Sequence, residues 1–194
     1  SGATESNNLA LLGFARNFQQ RTGRYGNIIT LKTEHQAILE PLQQLKKEGF
    51  SITALNPESD GLILEQNLLN ALREDTFLIS IMLANNEIGV IQPIEKIFKI
   101  CQKNNIKLHT DAAQCLGYIP IKNFDSLANM ITLSSHKIYG PKGVGLLIVD
   151  EDIKLNPIFF GGGQEFGYRS GTIPLPLVIG FSKAIELSIK NQAR

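Results

Sequence analysis

"MITLSSHKIYGPKGVGLLIV", residues 130–149, holds two short β-rich runs, 130–134 and 143–149, on either side of a polar, glycine-rich turn. About eight residues join them, too few for the crossover of a dozen or more that parallel neighbours need, so the spacing predicts an antiparallel pair. The turn places a lysine, Lys137, directly after a histidine and before a tyrosine. A lysine before a turn is most often simply solvated, yet an ordinary loop has no need of that crowding of donors.

Working back along the chain, further β-rich runs stand at 27–31 "NIITL", 51–55 "SITAL", 76–83 "TFLISIML" and 106–111 "IKLHTD". Helical patterns separate them. In 36–48, Ile38, Leu39, Leu42 and Leu45 share one stripe, and in 93–104 so do Ile94, Ile97, Phe98 and Cys101. Further helices are expected over 5–20, 65–73 and 175–190, with Pro93 and Pro174 in first turns. Strand–helix–strand repetition predicts an α/β fold, a three-layer αβα arrangement on a mostly parallel sheet. The antiparallel pair at 130–149 makes that sheet mixed. No repeat, low-complexity tract or linker divides the chain, so residues 1–194 read as one domain.

The 194 residues are 43% hydrophobic and 19% charged, with a formal net charge of +1. That is the composition of a soluble globular protein, and its charge balance gives no support to nucleic acid or membrane as a partner. No run approaches the roughly 18 apolar residues of a membrane span, and no charged-then-apolar leader opens the chain. Cys101 and Cys115 form no disulfide framework, which points to a reducing, cytoplasmic setting. The first residues, "SGATESNN", lack a methionine, and the last lie in a helical pattern. Both ends read as cuts through a longer protein.

In parallel sheets, ligands bind beyond the carboxyl ends of the strands, and the polar clusters fall there. His35 follows the first run, "ANNE" the third, "TDAAQ" closes the fourth and "SSHK" the fifth. At such a rim Lys137 can lose part of its solvation and serve as an amine nucleophile, the use a carbonyl cofactor makes of a lysine. Asp111 ends its strand on the same face as His109. It either caps a helix starting at Ala112 or keeps a pyridine nitrogen protonated, as pyridoxal phosphate requires. Gln114 can donate to that ring's phenolic oxygen. His35 either opens the next helix or lies over the ring as an acid or base. Gly2, Ala3 and Thr4 open a helix whose N–H groups suit a phosphate, and Ser134 and His136 can add donors. Phosphate-loop, dinucleotide-fold and metal-ligand spacings are all lacking. Cys115 adjoins the rim, but nothing around it lowers a thiol's pKa.

Together, "SGATESNNLA", "KTEH", "NNEIGVIQPI", "DAAQ", "SSHKIYGPKGVG" and "GGGQEFGYRSGT" resemble, in order and spacing, the cysteine desulfurases of the NifS/IscS type. These belong to the class V aminotransferase group of fold-type I pyridoxal-phosphate enzymes. The resemblance implies the large cofactor-binding domain of such an enzyme, with Lys137 as the Schiff-base lysine. Asp111 would face the pyridine nitrogen, Gln114 the phenolic oxygen and His35 the ring. Gly2, Ala3, Thr4, Ser134 and His136 would hold the phosphate, and Asn86 would stand near the cofactor and the substrate carboxylate. Thr172 would reach the cofactor of a partner subunit in a homodimer.

The implied reaction converts L-cysteine to L-alanine and leaves a persulfide on an enzyme cysteine for iron–sulfur cluster or thiolation acceptors, scaffold or carrier proteins. The resemblance sets that cysteine, the substrate-binding arginine, a small domain and an N-terminal segment outside these residues, so the chain alone is expected to be inactive. A class V aminotransferase, a selenocysteine lyase and a non-catalytic module keeping the fold are the alternatives.

Overall fold

The computed structural model describes residues 1–120, 124 and 127–192. Six strands form one sheet: β1 (Asn27–Leu31), β2 (Ser51–Leu55), β3 (Thr76–Ser80), β4 (Lys107–Asp111), β5 (Met130–Ser134) and β6 (Gly145–Val149), in spatial order β2-β1-β3-β4-β5-β6. All neighbours are parallel except β5 and β6, which pair antiparallel from Met130↔Val149 to Ser134↔Gly145. The expected mixed sheet is therefore present. The third, fourth and sixth runs are shorter than their hydrophobic patterns suggested, because Ile81, Leu83, Ile106 and Val144 are buried without being in strands.

Alternation along the strands builds two cores. Ile28, Leu78 and Met130 face one side, packed with Leu11, Phe14, Ile38, Leu42 and Leu45. Ile29, Leu31, Ile79, Leu108, Ile131 and Leu133 face the other, packed with Leu68, Ile97, Phe98, Phe181 and Ala184. Helices α1 (Ala3–Asn8), α2 (Phe14–Thr22) and α3 (Gln36–Lys47) thus cover the first face. Helices α4 (Glu65–Ala71), α5 (Ile94–Lys103) and α6 (Leu175–Gln192) cover the second. The apolar stripe read in α5 is buried as expected, and Pro93 stands at its N-cap, one residue before the first turn. Pro174 likewise precedes α6.

The helix expected over 5–20 begins earlier and is interrupted. A π-helical turn, Leu9–Gly13, joins α1 to α2. There the Gly13 carbonyl accepts the Asn156 N–H at 3.0 Å. A Cβ on Gly13 would stand 2.7 Å from the Asn156 carbonyl oxygen, so only glycine admits that crossing.

The glycine-rich turn has a positional task as well. A Cβ on Gly145 would lie 2.6 Å from the Gly2 carbonyl carbon. The bare backbone of β6 is what lets the start of α1 sit directly against the sheet rim. No helix among the described residues is long and apolar enough to cross a membrane.

Candidate active site

The carboxyl ends of β1, β3, β4 and β5 converge with the start of α1 around a cavity of about 700 Å³. Ten of the residues singled out from sequence line it: Gly2, Ala3, Thr4, His35, Asn86, Asp111, Gln114, Ser134, His136 and Lys137. Met82, Ala84, Lys142 and Gly143 complete much of the wall. Thr172 does not line it and is exposed.

Lys137 sits on a single 3₁₀ turn, Ser135–Ile138, directly after β5. It is half-buried, and among the described residues it forms no ion pair. Tyr139 closes the turn with φ 62°, left-handed for a residue that bears a side chain. Ser134 Oγ lies 3.1 Å from His136 Nδ1, tying two donors of this turn together.

Asp111 caps no helix, contrary to one of its two sequence readings: residues 113–118 form turns. Its Oδ1 instead accepts the Ala113 N–H at 2.9 Å, and its Oδ2 accepts Asn7 Nδ2 at 2.7 Å. Burial raises the Asp111 pKa, because a charge is costly away from water. The two donors, and the electrostatic influence of His35 and Lys137, oppose that rise.

The helix-opening reading of His35 holds. Its Nδ1 accepts the Ala37 N–H at 3.0 Å and caps α3, while the residue also lines the cavity. The cap occupies Nδ1, so Nε2 is the ring atom left for any ligand.

In "ANNE" the two asparagines divide the work. Asn85 is buried, donates to the Thr33 carbonyl and accepts from the Glu87 and Ile88 N–H groups, so it shapes the loop. Asn86 is exposed and lines the cavity.

Along the α1 wall, the first helical bond runs from Ser6 N–H to the Gly2 carbonyl at 3.1 Å. The N–H groups of Ala3, Thr4 and Glu5 therefore have no intrahelical acceptor and are open to an anion.

Three features behind the wall escape sequence reading. Asn7, fully buried, holds Asp111 from α1. Glu34 is buried beside His35; its Oε1 accepts the Met82 N–H at 2.9 Å and its Oε2 has no partner. Burial pushes its carboxyl up to about 8, with the Asp111 charge adding to the rise. Beneath Asp111, Ser80 Oγ meets His109 Nδ1 at 2.9 Å and Thr132 Oγ1 meets His109 Nε2 at 3.2 Å. Burial lowers the His109 pKa to about 3, so this imidazole is neutral.

Cys115, beside the rim, is buried, and burial followed by the Asp111 charge raises its thiol to about 12. That removes it as a nucleophile. Among the described residues no cluster of His, Cys, Asp or Glu could hold a metal ion.

Residues 1–193 match the family model described as Aminotransferase class-V. The chain is 50% identical over 193 residues to the mitochondrial cysteine desulfurase of Saccharomyces cerevisiae, covering 98% of this chain and 38% of that protein. It is 48% identical over 195 residues to the cysteine desulfurase IscS of Pasteurella multocida, covering 100% of this chain and 48% of that one. The crystal structure of DndA from Streptomyces lividans superposes with a TM-score of 0.91 at 44% identity, over 100% of this chain and 55% of DndA. The chain thus spans about half the length of these proteins, or less.

Proposed function

The chain belongs to the class-V aminotransferase family, and from that premise we propose that residues 1–194 form the large, pyridoxal phosphate-binding domain of a cysteine desulfurase. The single observation that carries this reading is the meeting in one cavity of Lys137, Asp111, Gln114, His35 and the open N–H groups of α1. These come from separate segments that the parallel strands bring to one rim, and their combined chemistry matches a single ligand.

The donor set fits the cofactor. An amine, a buried carboxylate and an anion-binding helix start are what a carbonyl, a ring nitrogen and a phosphate respectively require. Lys137 would hold the aldehyde carbon through its amine. Asp111, kept apart from water, would face the ring nitrogen and keep it protonated. Gln114 would donate its amide to the phenolic oxygen. The N–H groups of Gly2, Ala3 and Thr4, with Ser134 and His136, would hold the phosphate. When bound, pyridoxal phosphate supplies an electron sink that weakens bonds around the substrate's α-carbon.

His35 would stack on the ring and exchange protons through Nε2, since Nδ1 is committed to the Ala37 N–H. Asn86 would stand by the substrate carboxylate. The overall reaction proposed is L-cysteine to L-alanine, the sulfur leaving as a persulfide on a cysteine elsewhere in the enzyme. Cys101 and Cys115 are both buried and cannot take that part. Scaffold or carrier proteins for cluster assembly or thiolation would accept the sulfur. In a homodimer the exposed Thr172 would reach the partner's phosphate, and the unpaired cysteines suit a cytoplasmic setting.

The test is direct. Mixing the chain with pyridoxal phosphate is expected to give a yellow imine absorbance, and borohydride followed by peptide mapping is expected to find the adduct on Lys137. Equal colour and equal trapping in Lys137→Ala would refute the assignment.

A further inference from the structure

Asn7 lies one helical turn beyond Thr4 and is wholly buried, at a place where a helix against a sheet ordinarily carries an apolar side chain. Its Nδ2 donates to Asp111 Oδ2 at 2.7 Å. Its Oδ1 is buried without a partner. A side chain serving the helix alone would not strand a carbonyl oxygen in the interior. Chemistry also fixes the amide's orientation, because an ionised carboxylate only accepts and the NH2 must face it.

The other Asp111 oxygen accepts the Ala113 N–H at 2.9 Å. One donor therefore comes from the carboxylate's own turn. The other comes from the helix whose first residues line the same cavity.

We propose that Asn7 is a positioning residue: its amide fixes the plane of the Asp111 carboxylate and favours its charged form. It thereby ties the ring-nitrogen end of the site to the helix that would bind the phosphate. What the carboxylate serves rests on the function proposed above, but the Asn7–Asp111 coupling itself does not need the cofactor.

The groups acting on Asp111 from its surroundings are His35 and Lys137, both favouring its charged form, with Glu34 and Cys115 coupled to it by charge. All four stay in place in the variants below. The chain without cofactor is labelled with 13C at aspartate carboxyls, and Asp111 is assigned by its loss in Asp111→Asn.

In Asn7→Leu, close in shape and without a donor, Asp111 is expected to take up its proton at higher pH than in the unmutated chain. Pyridoxal phosphate should bind at least about tenfold more weakly, as for loss of a hydrogen bond to a charged group. In Asn7→Asp, two facing carboxyls can share one proton and rebuild the bond. Affinity should then recover at mildly acid pH and fall as the shared proton leaves, a pH signature that a purely structural role would not produce.

A measurement on the unmutated chain guards against a variant that fails to fold. The Asn7 side-chain amide protons should shift through the same pH interval that protonates Asp111. A flat Asn7 amide signal overturns the proposal, as does an unmoved Asp111 titration in folded Asn7→Leu or a pH-independent affinity in Asn7→Asp. A shifted Asp111 titration with no trapping on Lys137 would instead sink the proposed function and leave the coupling standing.

Discussion

Replacing Glu34 by glutamine should change how the stability of the fold depends on pH. The Glu34 carboxyl is buried behind His35, and burial, aided by the Asp111 charge, raises it from 4.5 to about 8. An acid raised by folding stabilises the fold fully below its unfolded pKa and loses that contribution as pH rises toward the folded value. Between 4.5 and about 8 the folded chain keeps a proton that the unfolded chain has released. His109 works in the opposite sense. Its pKa falls from 6.5 to about 3, so its penalty appears only as pH drops below 6.5.

The interval from pH 6.5 to 8 therefore isolates the Glu34 contribution. A full proton difference is worth about 1.4 kcal/mol per pH unit, or about 2 kcal/mol across that interval. Asp111 is also raised and remains in the variant, so the comparison reads the Glu34 proton together with its coupling to Asp111. Glu34→Gln keeps an oxygen to accept the Met82 N–H, now made to Oε1 at 2.9 Å. Urea unfolding at both pH values, followed by far-ultraviolet circular dichroism, should show the unmutated chain losing about 2 kcal/mol more than Glu34→Gln between them. Parallel losses in the two proteins would refute an acid held protonated in the folded state.

Two more outcomes follow from packing. Gly145→Ala sets a Cβ 2.6 Å from the Gly2 carbonyl carbon, so overpacking should cost about 1–3 kcal/mol, read as a lower midpoint in thermal or urea unfolding. Its pyridoxal phosphate affinity should fall as well, because the start of α1 must move from the cavity; unchanged stability and affinity would show that the rim yields freely. Cys101 and Cys115, both buried with thiols raised to about 12, should resist Ellman's reagent at pH 8 in the folded chain. They should react at once in urea, and prompt reaction without denaturant would contradict their burial.

Sequence patterning carried the architecture and most of the cavity wall, for identifiable reasons. Short runs such as "NIITL" and "MITLS" are buried on both faces, and the join between 130–134 and 143–149 leaves room for no helix. Polar residues at the carboxyl ends of those runs had to reach one rim. The buried supports were not legible. "ATESNN" looks like an exposed first turn, yet Ser6 and Asn7 are buried; nothing in the string says which face of α1 meets Asp111. Glu34 sits among lysine, threonine and histidine and reads as surface charge, but the chain entering α3 turns it under the sheet rim. Which of two adjacent asparagines faces a ligand depends on a loop closed by Asn85, a tertiary fact. Pairwise spacing carries periodicity; it does not carry the partners that periodic elements meet.

The same alternation that builds the two cores also confines the chemistry to one of them. Toward α4–α6 the strands and the residues that continue them are mainly apolar up to the rim, Ile81, Leu83, Ala112 and Leu133 among them, with the Thr110 hydroxyl bonded to the Ile81 carbonyl. Toward α1–α3 the residues change along each strand: Ile28 gives way to Thr30, Leu78 to Ser80, and Met130 to Thr132 and Ser134. Thr30 Oγ1 donates to the Ser80 carbonyl at 2.9 Å, and Ser80, His109 and Thr132 continue the row across β3, β4 and β5.

A one-residue slip of β4 would turn Asp111 into the apolar layer under α5, without Asn7 to donate to it. The same slip would strand His109 away from both hydroxyls. The buried polar row therefore penalises that slip and favours the register that delivers Asp111 to the cavity, so folding and site assembly are linked.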